Sequence, residues 1–541
     1  MVKKGIPSVV DLSDTAERAR VLALLGEIAE PADDDWDLMT TLRRYPRPGG
    51  TYAKSQLLGA YRRLVAEGAL PQSERIERRL RGRPVRTISG VAPVAVLTEP
   101  YPCPGSCIFC PDQVGAPKSY LDGEPGVLRA LQNAYDPYQQ TAVRIAALEA
   151  IGHATDKIEL LILGGTWSAY PHAYQDDFLR RCFDAMNESP SATLDEALVR
   201  NETAAHRNVG LVIETRPDCL TPEEIERIRR QGVTKVQVGV QSLDDRILVL
   251  NRRGHAVDDT RRALRLLRLA GLKIVLHWMP NLYGATPNSD LADFARIFAD
   301  PAIRPDELKI YPTALLEETR LYELWKAGEY TPYDEETLIE LLERCKALVQ
   351  PYCRINRVMR DIPSGYIVAG TTKSNLRQIV QQRMAEHGRV CQCIRCREIR
   401  GRRRIDPDDV ELQVLSYDTD GTEELFLQVL APRQGGGPGA LAAFLRLSLP
   451  TASRNELPIP EIRDVAMVRE LHVYGPAQAL GSRRRGAQHR GLGTRLLEEA
   501  AALAARAGFA ELAVIAAVGT RVYYRERGFT RGEIYPIRAL R

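Results

Sequence analysis

Tyr101-Pro-Cys-Pro-Gly-Ser-Cys-Ile-Phe-Cys-Pro111 sets three cysteines, Cys103, Cys107 and Cys110, at C-x3-C-x2-C spacing, with Phe109 just before the last. A [4Fe–4S] cubane takes its thiolates from a short loop folded around it. Three local thiolates leave one iron without a protein ligand, and an open iron can chelate a small molecule. A zinc loop and three unrelated thiols are open alternatives at this point. The chain on either side of the loop decides between them.

Outward from the loop stand six apolar, β-branched runs: Val91–Leu97, Glu159–Leu163, Leu211–Thr215, Lys235–Val240, Lys273–Trp278 and Glu307–Tyr311. Helical patterns separate them. Runs this apolar suit strands covered on both faces, and their alternation with helices predicts an α/β fold with a parallel sheet. Six units predict an open or partial (β/α)6 barrel. In such barrels the loops after the strand C-termini build the active site, and the three cysteines follow the first strand. Gly164-Gly165-Thr166-Trp167 follows the second, where glycine lets backbone approach a ligand closely. Glu214–Asp218, Gln241-Ser242, His277–Pro280 and Lys309–Pro312 carry polar groups to the same end of the predicted sheet.

Beyond the barrel, Cys391-Gln-Cys-Ile-Arg-Cys396 forms a second set, C-x-C-x2-C. Three thiols this close suit zinc, whose structural sites are four-coordinate. His387 is a candidate fourth ligand; a second iron–sulfur cluster and free thiols are the alternatives. Leu412–Tyr417, Leu425–Leu430 and Ala440–Leu447 read as antiparallel strands, with Arg433–Gly439 as a hairpin loop. Ala466–Tyr474 is a further strand, followed by a basic loop with Arg483-Arg-Arg485. Gln488-His-Arg-Gly-Leu-Gly493 then opens a helix over Thr494–Arg506. A glycine-rich turn at a helix N-terminus presents unpaired N–H groups and a positive dipole end to phosphate.

Ahead of the barrel, residues 1–30 read as weakly ordered or lightly helical, and Trp36 to about Leu80 as two or three short helices. Between Arg43 and Arg86 twelve arginines and lysines face only Glu67, Glu74 and Glu77, the footprint of a polyanion-binding surface. The alternative is a solvated helix face. Over the whole chain the imbalance is mild, a net charge of +4 on 541 residues, 27% charged and 44% hydrophobic, which suits a soluble protein of two or three domains. No apolar run reaches the length of a membrane span. The start, Met-Val-Lys-Lys-Gly-Ile-Pro, has no apolar stretch behind it to make a signal peptide. Ten cysteines in such a chain point to thiols and metal ligands rather than disulfides, and to a cytoplasmic location.

The C-x3-C-x2-C spacing resembles the signature of radical S-adenosylmethionine (SAM) enzymes. The Q-x-x-G-x-G turn, between its strand and helix and ahead of Ala510–Ala516 and Tyr523-Tyr524, resembles motif A of the GNAT acetyltransferases. Together with Pro117–Leu121, Tyr135–Tyr138, Asp156–Glu159, Arg469–Gly475 and Gly519–Tyr524, the two motifs resemble the catalytic subunit of Elongator in its stand-alone prokaryotic form. The resemblance covers nearly the whole chain. It implies an enzyme that modifies the wobble uridine of tRNA at C5, with a [4Fe–4S] cluster, SAM, acetyl-CoA and tRNA. In the mechanism that the resemblance implies, a radical drawn from SAM takes hydrogen from the acetyl methyl, the carbon radical adds to C5, and oxidation with thioester hydrolysis leaves a carboxymethyl group.

Residue by residue, the resemblance implies that Cys103, Cys107 and Cys110 bind the cluster and that Gly164 and Gly165 receive the SAM amino group. Lys157, Glu470, Leu471, His472, Val473, Leu492, Gly493, Thr494 and Tyr524 contact acetyl-CoA, with Lys157 and Tyr524 as catalytic candidates. Cys391, Cys393 and Cys396 are expected to hold zinc. Eukaryotic members space the first two cluster ligands further apart and lack the full second cysteine set. The expected domains are a basic helical tRNA-binding module (1–85), a radical SAM partial barrel (86–360), a linker with the zinc site (361–405) and a GNAT-like α+β domain (406–541). A homodimer is an open expectation. A protein lysine acetyltransferase is the main rival, but it leaves the three-cysteine loop without a purpose. A tRNA-binding scaffold without turnover leaves both cofactor motifs unexplained.

Overall fold

The computed structural model describes residues 9–30, 36–47, 50–82, 87, 90–399, 409–432, 439–451, 454–475 and 491–540. Its central element is a parallel sheet of seven strands in the order β1-β2-β3-β4-β5-β6-β8. They are β1 (Ala92–Leu97), β2 (Lys157–Leu163), β3 (Arg207–Thr215), β4 (Lys235–Gln241), β5 (Lys273–Trp278), β6 (Glu307–Ile310) and β8 (Arg354–Arg357). The two-residue β7 (Leu315–Leu316) pairs instead with β9 (Ile367–Ala369) beside the main sheet.

The six predicted strands pair in sequence order, which is what a right-handed run of βα units produces. The seventh was not foreseen. Its sequence, Arg-Ile-Asn-Arg, carries one apolar residue, and it pairs with β6 through Glu307↔Arg354 and Leu308↔Ile355.

Local chemistry starts the crossover helices. The side chains of Asp136, Thr193, Thr221, Asp244, Thr286 and Asp334 each accept a first-turn backbone N–H, which satisfies donors that the helix itself cannot. These helices and the sheet enclose one core, with Phe183, Phe294, Leu267, Ile274 and Trp278 fully or almost fully buried.

The C-terminal region forms a second seven-stranded sheet, β10 (Glu411–Thr419), β11 (Thr422–Ala431), β12 (Ala440–Pro450), β13 (Ala466–Val473), β14 (Glu511–Val514), β16 (Pro536–Ala539) and β15 (Thr530–Arg531), in that spatial order. Only the β13–β14 pair is parallel, with the helix Leu492–Arg506 crossing between them. Most of the predicted hairpin loop, the basic loop around Arg483 and Gln488-His-Arg490 lie outside the described residues.

At the N-terminus four helices, Thr15–Ala29, Leu38–Arg43, Lys54–Ala66 and Glu74–Leu80, pack on Leu24, Leu25, Leu57, Leu58, Tyr61 and Leu64. The first is longer than its weak pattern suggests, because Asp14 caps it by accepting from Ala16 N and Glu17 N. Many of the arginines here serve the fold. Arg75 donates to Ala29 O (2.8 Å) and Arg79 to Ile28 O (2.7 Å) and Glu30 O (2.9 Å), closing the carbonyl end of the first helix, where cations are favoured. Arg63 donates to Val10 O, and Arg81 to Gly152 O (3.0 Å). Among the described residues, no helix is long and apolar enough to cross a membrane.

Candidate active site at the two ends of one cavity

The cysteine loop leaves the C-terminal end of β1. Cys103, Cys107 and Cys110 are all partly exposed and none is disulfide-bonded. Gly105 N donates to Cys103 Sγ (3.4 Å), and Thr166 Oγ1 stands 3.6 Å from the same sulfur, so the turn after β2 meets the loop. That turn requires its glycines. Gly164 and Gly165 take φ of +130° and +109°, and a Cβ on Gly164 would come 2.0 Å from Thr98 Oγ1. Burial pushes the Cys110 thiol up to about 12.

Two buried arginines close on this loop. Arg253 Nη1 donates to Cys107 Sγ at 3.0 Å. Arg216 binds Asp218 and the carbonyl of Arg253, while its Nη1 is buried without a hydrogen-bond partner, 2.1 Å from where a Gly105 Cβ would be. Thiols backed by two buried guanidinium groups with one carboxylate between them suit a group that carries negative charge through its thiolates, so the residues present fit an iron–sulfur cluster.

Deeper in the barrel, Gln237 accepts from Lys309 and stands 3.0 Å from His277 Nε2. Burial first, and then Lys309 and Arg360, hold His277 well below the usual imidazole range. Glu214 lies close by, its pKa raised by burial.

The C-terminal sheet covers the opposite end, where the strands begin. Lys273, the first residue of β5, pairs with Glu470 of β13. Lys235, first in β4, reaches Glu159 (2.7 Å) and Glu307 (3.3 Å). Asp306 is fully buried among Arg268 (2.9 Å), Arg446 (3.5 Å) and Arg469, and Arg469 also holds Glu424 at 3.0 Å. Burial alone would raise the Glu470 pKa, but Lys273 and Arg446 overcome it and hold the carboxyl down at about 2. A carboxylate so depressed is a poor general base at neutral pH.

The predicted coenzyme contacts gather at this end. β13 and β14 pair only through Ala466–Val468, so Glu470 to Val473 continue without β14 beside them. Gly493, in the first turn of the crossing helix, is close enough to Tyr523 that a Cβ would come 2.9 Å from its hydroxyl and 3.7 Å from Val473. Arg527 joins Thr494 Oγ1 (3.2 Å) while lying over the Tyr523 ring, and Tyr524 is buried beside them. Lys157 opens β2 at the same end, opposite Arg207 of β3, and Gly519 packs against Arg207 and Asn208. Burial lowers the Lys157 pKa.

A cavity of about 910 Å³ joins the two ends, lined by Cys110 and Glu214 toward the loop, Lys235 in the barrel, and Glu470, His472 and Tyr524 of the C-terminal sheet.

The second cysteine set lies beside this lower end. Cys391, Cys393 and Cys396 bring their sulfurs within 4.8 Å of one another, and among the described residues no other set of metal-ligating side chains is drawn together as tightly. Thiols that share one ion through bonds of ~2.3 Å must be close, whereas ligands at separate corners of a cubane stand further apart. Lys346 Nζ is buried near them without a hydrogen-bond partner, and Gln381 donates to Cys396 Sγ (3.3 Å). These donors and that cation fit zinc. His387 is not among the side chains gathered there; its Nδ1 is 2.8 Å from Glu343 Oε1.

Sequence reasoning did not single out Arg253, Lys235, Lys273 or Asp306. Each is a charge at the end of a strand or in a turn, and only the folded structure gives it a partner.

Residues 102–296 match the Radical SAM superfamily model, and residues 305–386 the Radical_SAM C-terminal domain. The chain is 46% identical over 448 residues to a tRNA uridine(34) acetyltransferase of Dehalococcoides mccartyi, spanning 82% of this chain and 96% of that one. It is 37% identical over 473 residues to Elongator complex protein 3 of Schizosaccharomyces pombe, spanning 84% and 86%. Among solved structures, the archaeal Methanocaldococcus infernus Elp3 with an N-terminus deletion (1–46) matches with a TM-score of 0.72 at 40% identity, over 84% of this chain and 100% of that one.

Proposed function

The chain belongs to the Elongator complex protein 3 family, and from that premise we infer that it is a radical SAM enzyme that modifies the wobble uridine of tRNA, installing a carboxymethyl group at C5 with acetyl-CoA as the carbon source. The observation that carries this reading is the single cavity reaching from Cys110 to Glu470, His472 and Tyr524. A protein that only acetylated lysines would have no use for a passage to a three-cysteine loop.

In this reading Cys103, Cys107 and Cys110 hold the cluster, and the turn at Gly164 and Gly165 receives the amino group of SAM. When bound, that pair supplies one-electron chemistry, which joins an acetyl methyl to a poorly nucleophilic C5 where polar chemistry cannot. The chain's own residues do the rest. Leu492, Gly493 and Thr494 offer a helix N-terminus to the coenzyme pyrophosphate, and the stretch of β13 beyond its pairing with β14 lies along its pantetheine arm. Lys157 and Tyr524 border the acetyl end. His277, Gln237 and Lys309 orient polar edges of the base within the barrel. Zinc on Cys391, Cys393 and Cys396 fastens the segment between the two sheets.

The target base must leave its stack to enter the mouth, which is easier from a single-stranded anticodon loop. Exposed Arg43 and Arg78 mark the face of the N-terminal helices assigned to the tRNA backbone. In this reading the enzyme works in the cytoplasm.

The test is anaerobic reconstitution with SAM, reductant, acetyl-CoA and bulk tRNA, followed by mass spectrometry of the nucleosides. A carboxymethyl gain on uridine that requires both SAM and acetyl-CoA is expected. Acetyl transfer to protein with no uridine product would overturn the reading.

A further inference from the structure

We propose that Arg253 raises the reduction potential of the cluster by donating to Cys107, with Arg216 as the brace that positions it. The inference rests on the assignment of Cys103, Cys107 and Cys110 to an iron–sulfur cluster. Arg253 follows the helix Asp245–Leu250 between two residues with left-handed backbone, Arg252 (φ +53°) and Gly254 (φ +74°). This sharp turn carries its side chain into the interior, where it is 5% exposed.

The guanidinium is held at both ends. Nη2 donates to the Gly239 carbonyl of β4, and Nη1 donates to Cys107 Sγ at 3.0 Å. Arg216 grips the same turn through the Arg253 carbonyl (2.7 Å) and is paired with Asp218. Asp218 is the one carboxylate paired with either arginine among the described residues, so two guanidinium groups stand against a single acid beside the loop. His255 reports the same local field. Burial first, and then Arg253 and Arg216, bring its imidazole down to about 4.

Reduction adds an electron to the cluster, so hydrogen bonds to its sulfurs and positive charge nearby favour the reduced form. Arg253 supplies both to one ligand. It is not needed merely to tie the loop to the turn, because Ile108 N already donates to the Asn251 carbonyl at 3.2 Å. Arg253 is therefore a positioning and tuning residue acting through Cys107.

The test compares wild type with Arg253→Lys, Arg253→Gln and Arg253→Met after anaerobic reconstitution. Iron and sulfide are counted first. A potentiometric titration without SAM, read by electron paramagnetic resonance, then gives each midpoint. Arg253→Met removes both donor and charge, and its reduction equilibrium should fall about tenfold, which is ~59 mV for one electron. Arg253→Gln keeps a donor and should fall less, and Arg253→Lys least. Midpoints equal to wild type at full iron content overturn the proposal. So does a failure of all three variants to assemble the cluster that wild type assembles, which would make Arg253 a determinant of loop folding. A wild-type chain that takes up no iron overturns the cluster assignment itself, and this inference with it.

Discussion

The two cysteine triplets stand at opposite ends of one barrel and are gathered differently. Cys103, Cys107 and Cys110 are partly exposed on a loop beyond the strand C-termini, and Cys110 lines the cavity. Cys391, Cys393 and Cys396 are tightly gathered beside the strand N-termini, two of them buried. The surroundings differ in the same way. Near the upper loop, charge is left over, in Arg253 and the unpartnered Nη1 of Arg216. At the lower end, Lys346 is likewise left over beside Cys391, Cys393 and Cys396, but Asp306, Glu424, Arg268 and Arg469 are buried and paired in a network that crosses between the two sheets. An uncompensated polar group costs stability and is retained where a ligand will use it, whereas a satisfied network fixes one geometry.

Replacing Cys103, Cys107 and Cys110 together by alanine should break the contrast most severely. Uridine modification should fall to background, with folding stability changed by less than about 1 kcal/mol; nucleoside mass spectrometry and chemical denaturation read the two effects. A large loss of stability would mean that the upper loop is structural after all.

Asp306→Ala tests the other end. It strands Arg268, Arg446 and Arg469 without their shared acid, and the expected loss is about 3–5 kcal/mol, seen as a lower denaturation midpoint with the iron content unaltered. Cys391→Ser with Cys393→Ser should release zinc and cost about 3 kcal/mol, again leaving iron in place. Metal analysis showing loss of iron as well would erase the distinction between the triplets.

Acid should act on the lower end first. The Glu470 carboxyl is held at about 2 in the fold against an ordinary 4.5. Its folded pKa is depressed, so its contribution is fully present above about pH 4.5 and is lost as the pH falls toward 2. Unfolding midpoints measured across that window should drop, and Lys273→Met should flatten the drop. His387→Ala should do least. Zinc stoichiometry stays the same and stability changes by less than about 1 kcal/mol, because the histidine pairs with Glu343 rather than with the cysteines.

Much of this was legible in the chain. Six strands announced themselves as β-branched runs, because a strand covered on both faces must be apolar along its length. The seventh, Arg354–Arg357, was hidden because its side chains answer to partners elsewhere: Arg354 to Glu398 (2.7 Å) and Asn356 to Glu307 (2.6 Å). The basic run before the barrel was legible as charge but not as use. Arg75 and Arg79 serve a helix end, and nothing in their spacing says so.

By itself the sequence determined the chemistry that local spacing can encode: the C-x3-C-x2-C loop after a strand, the glycines that approach it, the C-x-C-x2-C set, and the glycine-bearing start of the helix Leu492–Arg506. Each is a matter of residues a few positions apart, within reach of one loop or turn. Only the tertiary structure decided what lies between them. Cys107 meets Arg253, and Lys273 meets Glu470, across nearly 150 and 200 residues respectively. Burial in a shared interior brought those charges together, and distance along the chain carries no record of it.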